Sequence, residues 1–225
     1  MNKIKNILVL IILSVVIYSC DSDTNTVYNP FLDIDHEELA LSDNDTLVNF
    51  LKNYYYDVSL DSVKPLVSGK TPLFNDVKEI KGKRNDIEYK MYVYIIREGN
   101  PIDPNPNNPS VDKGNPTVSD SIFAKYSLQA ITSTTTLSTT IDSNTTTSIG
   151  NWFSYTSLAV RGWSFGFKEL KGGYLKKEAN GDTFDGPITY LEGGKGILFI
   201  PSGLAYTSLN TANYSSSLVD TNLMF

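Results

Sequence analysis

The chain has 225 residues, of which 40% are hydrophobic and 12% aromatic, and this composition can bury a core and excludes a disordered chain. Its formal net charge of −6 repels phosphate, so nucleic acid is not an expected partner. One cysteine (Cys20) excludes an intrachain disulfide, and with one histidine (His36) the chain offers little for zinc sites or for Cys–His and Ser–His catalysis.

The amino-terminal segment has the pattern of a secretory signal peptide. Lys3 and Lys5 precede an apolar run over residues 7–17, which is shorter than the roughly 20 residues that span a bilayer. Cys20 stands where a loose lipobox resembling those of Bacteroidetes lipoproteins would place it. We therefore expect residues 1–20 to be a lipoprotein signal, and the mature chain to be lipid-anchored in the cell envelope, on its periplasmic or outer-membrane face. The alternative is an ordinary signal peptide with a chance cysteine.

The next segments predict a tether and a helical extension. Residues 21–36 are polar and acidic, as in a tether, and Ser42 with Asp45 resembles a capping box. An apolar stripe at helical spacing follows: Leu47, Phe50, Leu51 and Tyr54. We expect this short helix to lie in an extension over residues 37–86 and to pack on the sheet, because its apolar face must be covered; the alternative is that the extension forms a separate cap. Residues 57–86 show no clear period and predict a solvated loop.

The second half of the chain predicts strands more often than helices. Strict alternation over residues 87–98 predicts a half-buried strand, and the proline-rich stretch 99–118 predicts a long loop. A second alternating strand has these residues on one face: Ile122, Ala124, Tyr126 and Leu128. A helix is predicted by three apolar residues at helical spacing, Trp163, Phe167 and Leu170, and the two glycines that follow them would end it. A short apolar strand over 197–200 follows, so the predicted class is α+β with an antiparallel sheet.

Two segments carry a family resemblance. VRGWSFGFKELKGG (160–173) and GILFIPSGLAYTS (196–208), in this order, resemble the FKBP-type peptidyl-prolyl cis-trans isomerases, including lipoproteins of the gliding-motility-associated type. Four further pieces are similar to family segments in compatible order: EGN after the first strand, SDSIFAKYSLQAI, TTIDSN and LVDTNLMF. The resemblance covers residues 87–225 with an insertion over 174–195. It implies an antiparallel twisted sheet wrapped on one short helix, here preceded by an amino-terminal helical extension.

The resemblance also implies a set of site residues. Trp163 would form the floor under a proline ring, while the amide of Val160 and the hydroxyl of Tyr206 would bind substrate carbonyls. Tyr126 and Asp142 would form one wall. The remaining substrate-binding candidates are Ile141, Ala159, Phe225 at the back, and Trp152 or Phe153 as a second wall. Each of these residues, taken alone, is interpreted as core packing, and the ordered set is what points to a pocket.

Several positions depart from the family pattern. Ile141 stands where the family has phenylalanine, Ala159 where it has a larger aliphatic residue, and Thr207 where it has glycine. The family's last strand continues beyond the position of Phe225, so either the gene is truncated or the central strand is short. The insertion over 174–195 predicts a polar hairpin that serves as a lid, as a partner contact or as a plain surface excursion.

The resulting functional hypothesis is isomerisation of X-Pro bonds in proteins that fold outside the cytoplasm. The reaction needs no metal or cofactor, and the expected partners are proline-containing protein clients and, through the lipid, a membrane. The sequence does not indicate an oligomeric state. One alternative is a chaperone or assembly lipoprotein that uses the same pocket without turnover, and another is an inert structural lipoprotein.

Overall fold

The structure is a computed structural model that describes residues 30–117, 119–145, 150–154 and 160–225. Within it, Phe31–Phe225 form one compact unit. The helices are α1 (His36–Asn53) and α2 (Trp163–Gly166), with 3-10 turns at Leu73–Asn75, Phe167–Glu169, Ser202–Leu204 and Thr211–Asn213. The first strands are β1 (Tyr54–Asp57), β2 (Ser62–Pro65), β3 (Lys78–Arg84), β4 (Ile87–Arg97), β5 (Ser121–Ala124), β6 (Ser127–Ser133) and β7 (Thr136–Leu137). The remaining strands are β8 (Asp142–Ser143), β9 (Asn151–Ser154), β10 (Tyr174–Leu175), β11 (Tyr190–Leu191), β12 (Lys195–Ile200) and β13 (Asn222–Met224).

The described strands form one main antiparallel sheet and three small pairs. The main sheet has the order β3-β4-β12-β13-β6-β7, and β8 also pairs with β6. The separate pairs are β1–β2, β5–β9 and β10–β11. The carboxy-terminal strand β13 therefore lies in the middle of the sheet, between β12 and β6. The predicted α+β class with an antiparallel sheet is confirmed.

The two faces of the main sheet carry separate apolar cores. Successive side chains of a strand point to opposite faces, so β4 contributes to both cores. Met91 and Val93 of β4 pack in the core that contains Trp163 of α2, whereas Tyr92 packs in the core that contains Leu47 of α1. The prediction that β4 is half-buried missed this second layer, because its outward Tyr92 is covered by α1.

The amino-terminal helix begins earlier than predicted. Asp35 is its N-cap and accepts hydrogen bonds from the backbone N–H groups of Glu37 at 2.9 Å and Glu38 at 3.1 Å. The predicted capping box at Ser42 is therefore wrong, since Ser42 lies inside the helix and the N-cap carboxylate already satisfies the first free donors. The apolar stripe was identified correctly up to Leu51, and Leu47 is fully buried against the sheet. The stripe's last member, Tyr54, is not helical and begins β1.

Residues 57–86 were predicted to be a solvated loop, and this is wrong. They contain β2 and also β3, which pairs with β4 along all seven of its residues. The turn between β3 and β4 consists of Asn85 and Asp86, which have positive φ of 48° and 65°, as a tight two-residue hairpin requires. The boundary placed at residue 87 therefore falls inside a β-hairpin. The pattern hid β3 because this edge strand is polar on most of its surface.

Two other predicted elements are shorter than expected. The second alternating strand breaks at Lys125–Tyr126 into β5, which pairs with β9, and β6, which enters the main sheet. The helix predicted to reach Leu170 is α-helical for one turn and continues as a 3-10 turn, after which Leu170 is extended with φ −118° and ψ 126°. The insertion contains the β10–β11 pair and a bridge between Lys177 and Thr183.

No helix in the described part of the chain combines the length and the apolar character that crossing a bilayer requires. The predicted signal segment, with Cys20, lies outside the described residues, as do most of the predicted tether and Ala159.

Candidate functional site

The turn before α2 places Trp163 against the sheet. The backbone N–H of Trp163 donates to the carbonyl of Val160 at 3.1 Å, and the N–H of Gly162 donates to the carbonyl of Leu204 at 2.8 Å. A Cβ atom on Gly162 would lie 2.5 Å from a methyl carbon of Ile200, so only glycine lets the turn approach β12 this closely. The two sequence motifs, around residues 160–163 and 200–206, are therefore joined directly.

Four aromatic rings surround the indole of Trp163. The ring centroids lie 5.3 Å away for Tyr126, 5.0 Å for Phe153, 5.5 Å for Phe167 and 5.0 Å for Phe225. The indole is 4% exposed, whereas the four rings are partly exposed. Its Nε1–H is buried and has no hydrogen-bond partner among the described residues. The rings and the small exposed part of the indole form one apolar surface at the edge of the core.

The strand β9 resolves which of its two aromatic residues belongs to this cluster. Phe153 faces Trp163 and also packs edge-on against Tyr126, with centroids 6.1 Å apart. Trp152 points to the opposite side of the strand, is 52% exposed and packs on Phe123 and Tyr190. Of the two candidates left open by the sequence, Phe153 is thus the one that the fold places beside the indole.

Tyr126 and Asp142 are joined as a pair at the edge of the cluster. The Tyr126 hydroxyl donates to Asp142 Oδ2 at 2.7 Å, and Asp142 Oδ1 accepts from the N–H of Ser143 at 2.8 Å. The hydrogen bond to the carboxylate, then burial, then the charge of Asp142 raise the pKa of Tyr126 to about 12. The tyrosine therefore stays neutral at physiological pH, and its ring is held in one orientation.

Tyr206 lies close enough to this pair to be influenced by its charge. Burial raises the pKa of Tyr206, and the negative charge of Asp142 raises it further. The ring packs against the core that contains Trp163 and Val160, and it is only partly buried. The two tyrosine hydroxyls and the Asp142 carboxylate thus provide the polar groups beside an otherwise aromatic surface.

The remaining predicted site residues differ in how much of each side chain is exposed. The side chain of Val160 is 1% exposed, so any contact with a ligand falls to its backbone. Ile141 is 47% exposed, and its N–H donates to the carbonyl of Leu128 at 2.8 Å. The structure brings together Tyr126, Asp142, Trp163 and Phe225 from four separated segments of the chain.

Sequence reasoning missed a role for Phe167, which it assigned to the helix face alone, although its spacing of four from Trp163 indicated a shared face. It also missed two polar supports of the turn before Tyr206: a buried carboxylate, Asp43, and the guanidinium of Arg84. Arg84 was interpreted as part of a solvated loop. Asp43, which lies four residues before Leu47 on the buried stripe, carried a signal in its helical spacing.

The arrangement places aromatic rings beside the Tyr206 hydroxyl, which can donate to a carbonyl, whereas the Tyr126 hydroxyl already donates to Asp142. Comparison of the chain with protein-family models found no matching family, and comparison with curated proteins found no matching protein.

Proposed function

We propose that the chain is an FKBP-type peptidyl-prolyl cis-trans isomerase, held in the cell envelope by a lipid on Cys20 and acting on proline-containing protein clients. One observation carries the proposal: Tyr126, Phe153 and Phe225, far apart in sequence, surround the indole of Trp163 in the turn that bears the family-like motif. Core packing alone does not require these rings to remain partly exposed beside two hydroxyls and a carboxylate.

The chemistry of prolyl isomerisation suits such a site. Rotation about the amide bond has a barrier of about 18–20 kcal/mol, because the planar amide loses its resonance in the twisted state. The twisted state is less polar, so an apolar surface favours it over the planar ground state, and donors aimed at neighbouring carbonyls add differential binding. The reaction needs neither proton transfer nor a covalent intermediate, and the residues around Trp163 offer an aromatic surface and one hydroxyl donor, that of Tyr206.

The residues would take these roles. The proline ring would lie on the exposed part of Trp163, and Phe225 would close the back. The backbone N–H of Val160 and the hydroxyl of Tyr206 would donate to substrate carbonyls. Tyr126, fixed by its hydrogen bond to the Asp142 carboxylate, would form a wall beside Phe153.

An FKBP-like fold is part of the same proposal. It is supported by the antiparallel sheet, by the place of β13 in the middle of that sheet, and by α2 against one face. The α-helix α2 is one turn long and is therefore shorter than the helix predicted from Trp163 to Leu170.

The test is a proline-limited refolding assay with the chain lacking residues 1–20. We expect acceleration by the wild type and a loss of about two- to tenfold for Tyr206→Phe, since one neutral hydrogen bond contributes roughly 0.5–1.5 kcal/mol. The matched control is Tyr190→Phe, which removes a tyrosine hydroxyl beside Trp152, on the other side of β9 from Trp163. This variant should retain full activity. Absence of any acceleration by the wild type would refute the proposed isomerase activity.

A binding module without turnover is the second candidate. It is favoured by Ile141, a 47% exposed aliphatic residue where the resemblance implies an aromatic wall, and by the 4% exposure of Trp163. Suppression of client aggregation without any change in refolding rate would support this function instead.

A further inference from the structure

A buried carboxylate on the amino-terminal helix contacts the turn that leads to Tyr206. Asp43 lies on α1 and is 5% exposed. Its Oδ2 accepts hydrogen bonds from the N–H of Ser202 at 2.9 Å and from the hydroxyl of Ser202 at 2.6 Å, and Ser202 is fully buried. Removing a carboxylate from water is costly unless it is well hydrogen-bonded, so this contact is a specific one.

Ser202 opens the turn on which the candidate site depends. The N–H of Ala205 donates to the carbonyl of Ser202 at 3.0 Å, and Tyr206 follows directly. The carbonyl of Leu204, in the same turn, accepts the N–H of Gly162 at 2.8 Å, next to Trp163. A shift of Ser202 would therefore move both the hydroxyl of Tyr206 and the support of the turn before α2.

The same turn has two further partners. Nη1 of Arg84, on β3, donates to the carbonyls of Gly203 at 3.2 Å and Ala205 at 3.4 Å. Oδ1 of Asn222, on β13, accepts from the N–H of Ser202 at 3.0 Å. Asp43 is the charged partner that binds Ser202 itself, through both its N–H and its hydroxyl, and hydrogen bonds to charged groups are the stronger ones.

We propose that Asp43 is a positioning residue of the candidate site, and that α1 is a working part of that site. Asp43 holds Ser202, and the Ser202–Leu204 turn in turn directs the Tyr206 hydroxyl towards the aromatic rings. The catalytic consequence rests on the proposed isomerase function, whereas the positioning of the turn can be tested without any activity.

Hydrogen exchange of the full-length protein, followed by mass spectrometry, tests the positioning. In Asp43→Ala we expect amides of the 202–206 turn to exchange about tenfold faster or more, while those of β4 keep wild-type protection. Asp43→Asn retains an acceptor oxygen and should restore most of the protection. Asp45→Ala removes an exposed carboxylate from the same helix and should change nothing at this turn.

Unchanged exchange at 202–206 in a folded Asp43→Ala protein would overturn the proposal. If Asp43→Ala does not fold, Ser202→Ala removes one of the two hydrogen bonds and leaves the helix intact. Faster exchange at the turn in this variant supports the proposal, and unchanged exchange refutes it.

An activity measurement tests whether Asp43 acts through Tyr206. Asp43→Ala should lower kcat/KM in the wild-type background. It should have little further effect in the Tyr206→Phe background, because that protein already lacks the hydroxyl that Asp43 positions. Equal losses in both backgrounds would overturn this route of action. An inactive wild type would reject the proposed isomerase, and hydrogen exchange would still decide the positioning.

Discussion

The ionisation of Asp43 should make the stability of the fold depend on pH. Burial raises the pKa of Asp43 from 3.8 to about 6, although hydrogen bonds from Ser202 and Asn222 oppose this shift, and the nearby charge of Asp220 adds to it. The native state therefore holds this proton more tightly than the unfolded state. The contribution of this proton to the free energy of unfolding is fully present below about pH 4 and is lost as the pH rises through about 6. A shift of about two pKa units corresponds to roughly 3 kcal/mol.

Urea unfolding of the wild type and Asp43→Asn between pH 4 and pH 7.5 measures this contribution. The asparagine cannot ionise, so the free energy of unfolding of the wild type should fall by roughly 2–3 kcal/mol relative to the variant over this range. Taking the difference between the two profiles removes contributions from groups that do not interact with Asp43. The electrostatic interactions of Asp43 with Asp220 and Tyr89 remain part of the difference. Asp45→Asn, on the exposed side of α1, should keep the wild-type slope. Parallel profiles for the wild type and Asp43→Asn would refute the reasoning.

Three further outcomes follow from the structure. Phe153→Ala should weaken binding of a proline-containing peptide, measured by fluorescence titration, while Trp152→Ala should not, because the two rings lie on opposite sides of β9. Asp142→Asn should lower the pKa of Tyr126 from about 12 towards its ordinary value, as followed by NMR of labelled tyrosine. Leu47→Ala, at a fully buried position, should reduce the free energy of unfolding by about 2–5 kcal/mol in urea titrations.

The elements that were predicted correctly are those whose own residues carry a clear pattern. The alternation that begins at Ile87 and the short apolar run before Pro201 match β4 and β12. Leu47, Phe50 and Leu51 match the buried face of α1. In each case the pattern of apolar residues lies within the element itself, so a short window of sequence contains the information.

The strand β3 shows why other elements were not found. Its hydrogen bonds come from β4, and most of its side chains are exposed, so no apolar period marks it. The local signal was the turn: Asn85 and Asp86 are residue types that tolerate positive φ, and they lie directly before the alternating segment that begins at Ile87. The break at Tyr126 had no such signal, because the pairing of β5 with β9 depends on residues some 30 positions away.

The same distinction applies to the candidate site. Sequence motifs predict two of its turns, whereas contacts between distant parts of the chain determine what holds them. The motif around Trp163 marks a turn that needs glycine, and the motif around Tyr206 marks the turn that receives its hydrogen bond. Neither motif indicates what holds the second turn, because Asp43 and Arg84 meet it only through contacts between distant parts of the chain. A carboxylate on an otherwise apolar helical stripe is costly to bury and needs a specific partner. The helical period that identified Leu47 therefore also marked Asp43, and its partner lies in the turn before Tyr206.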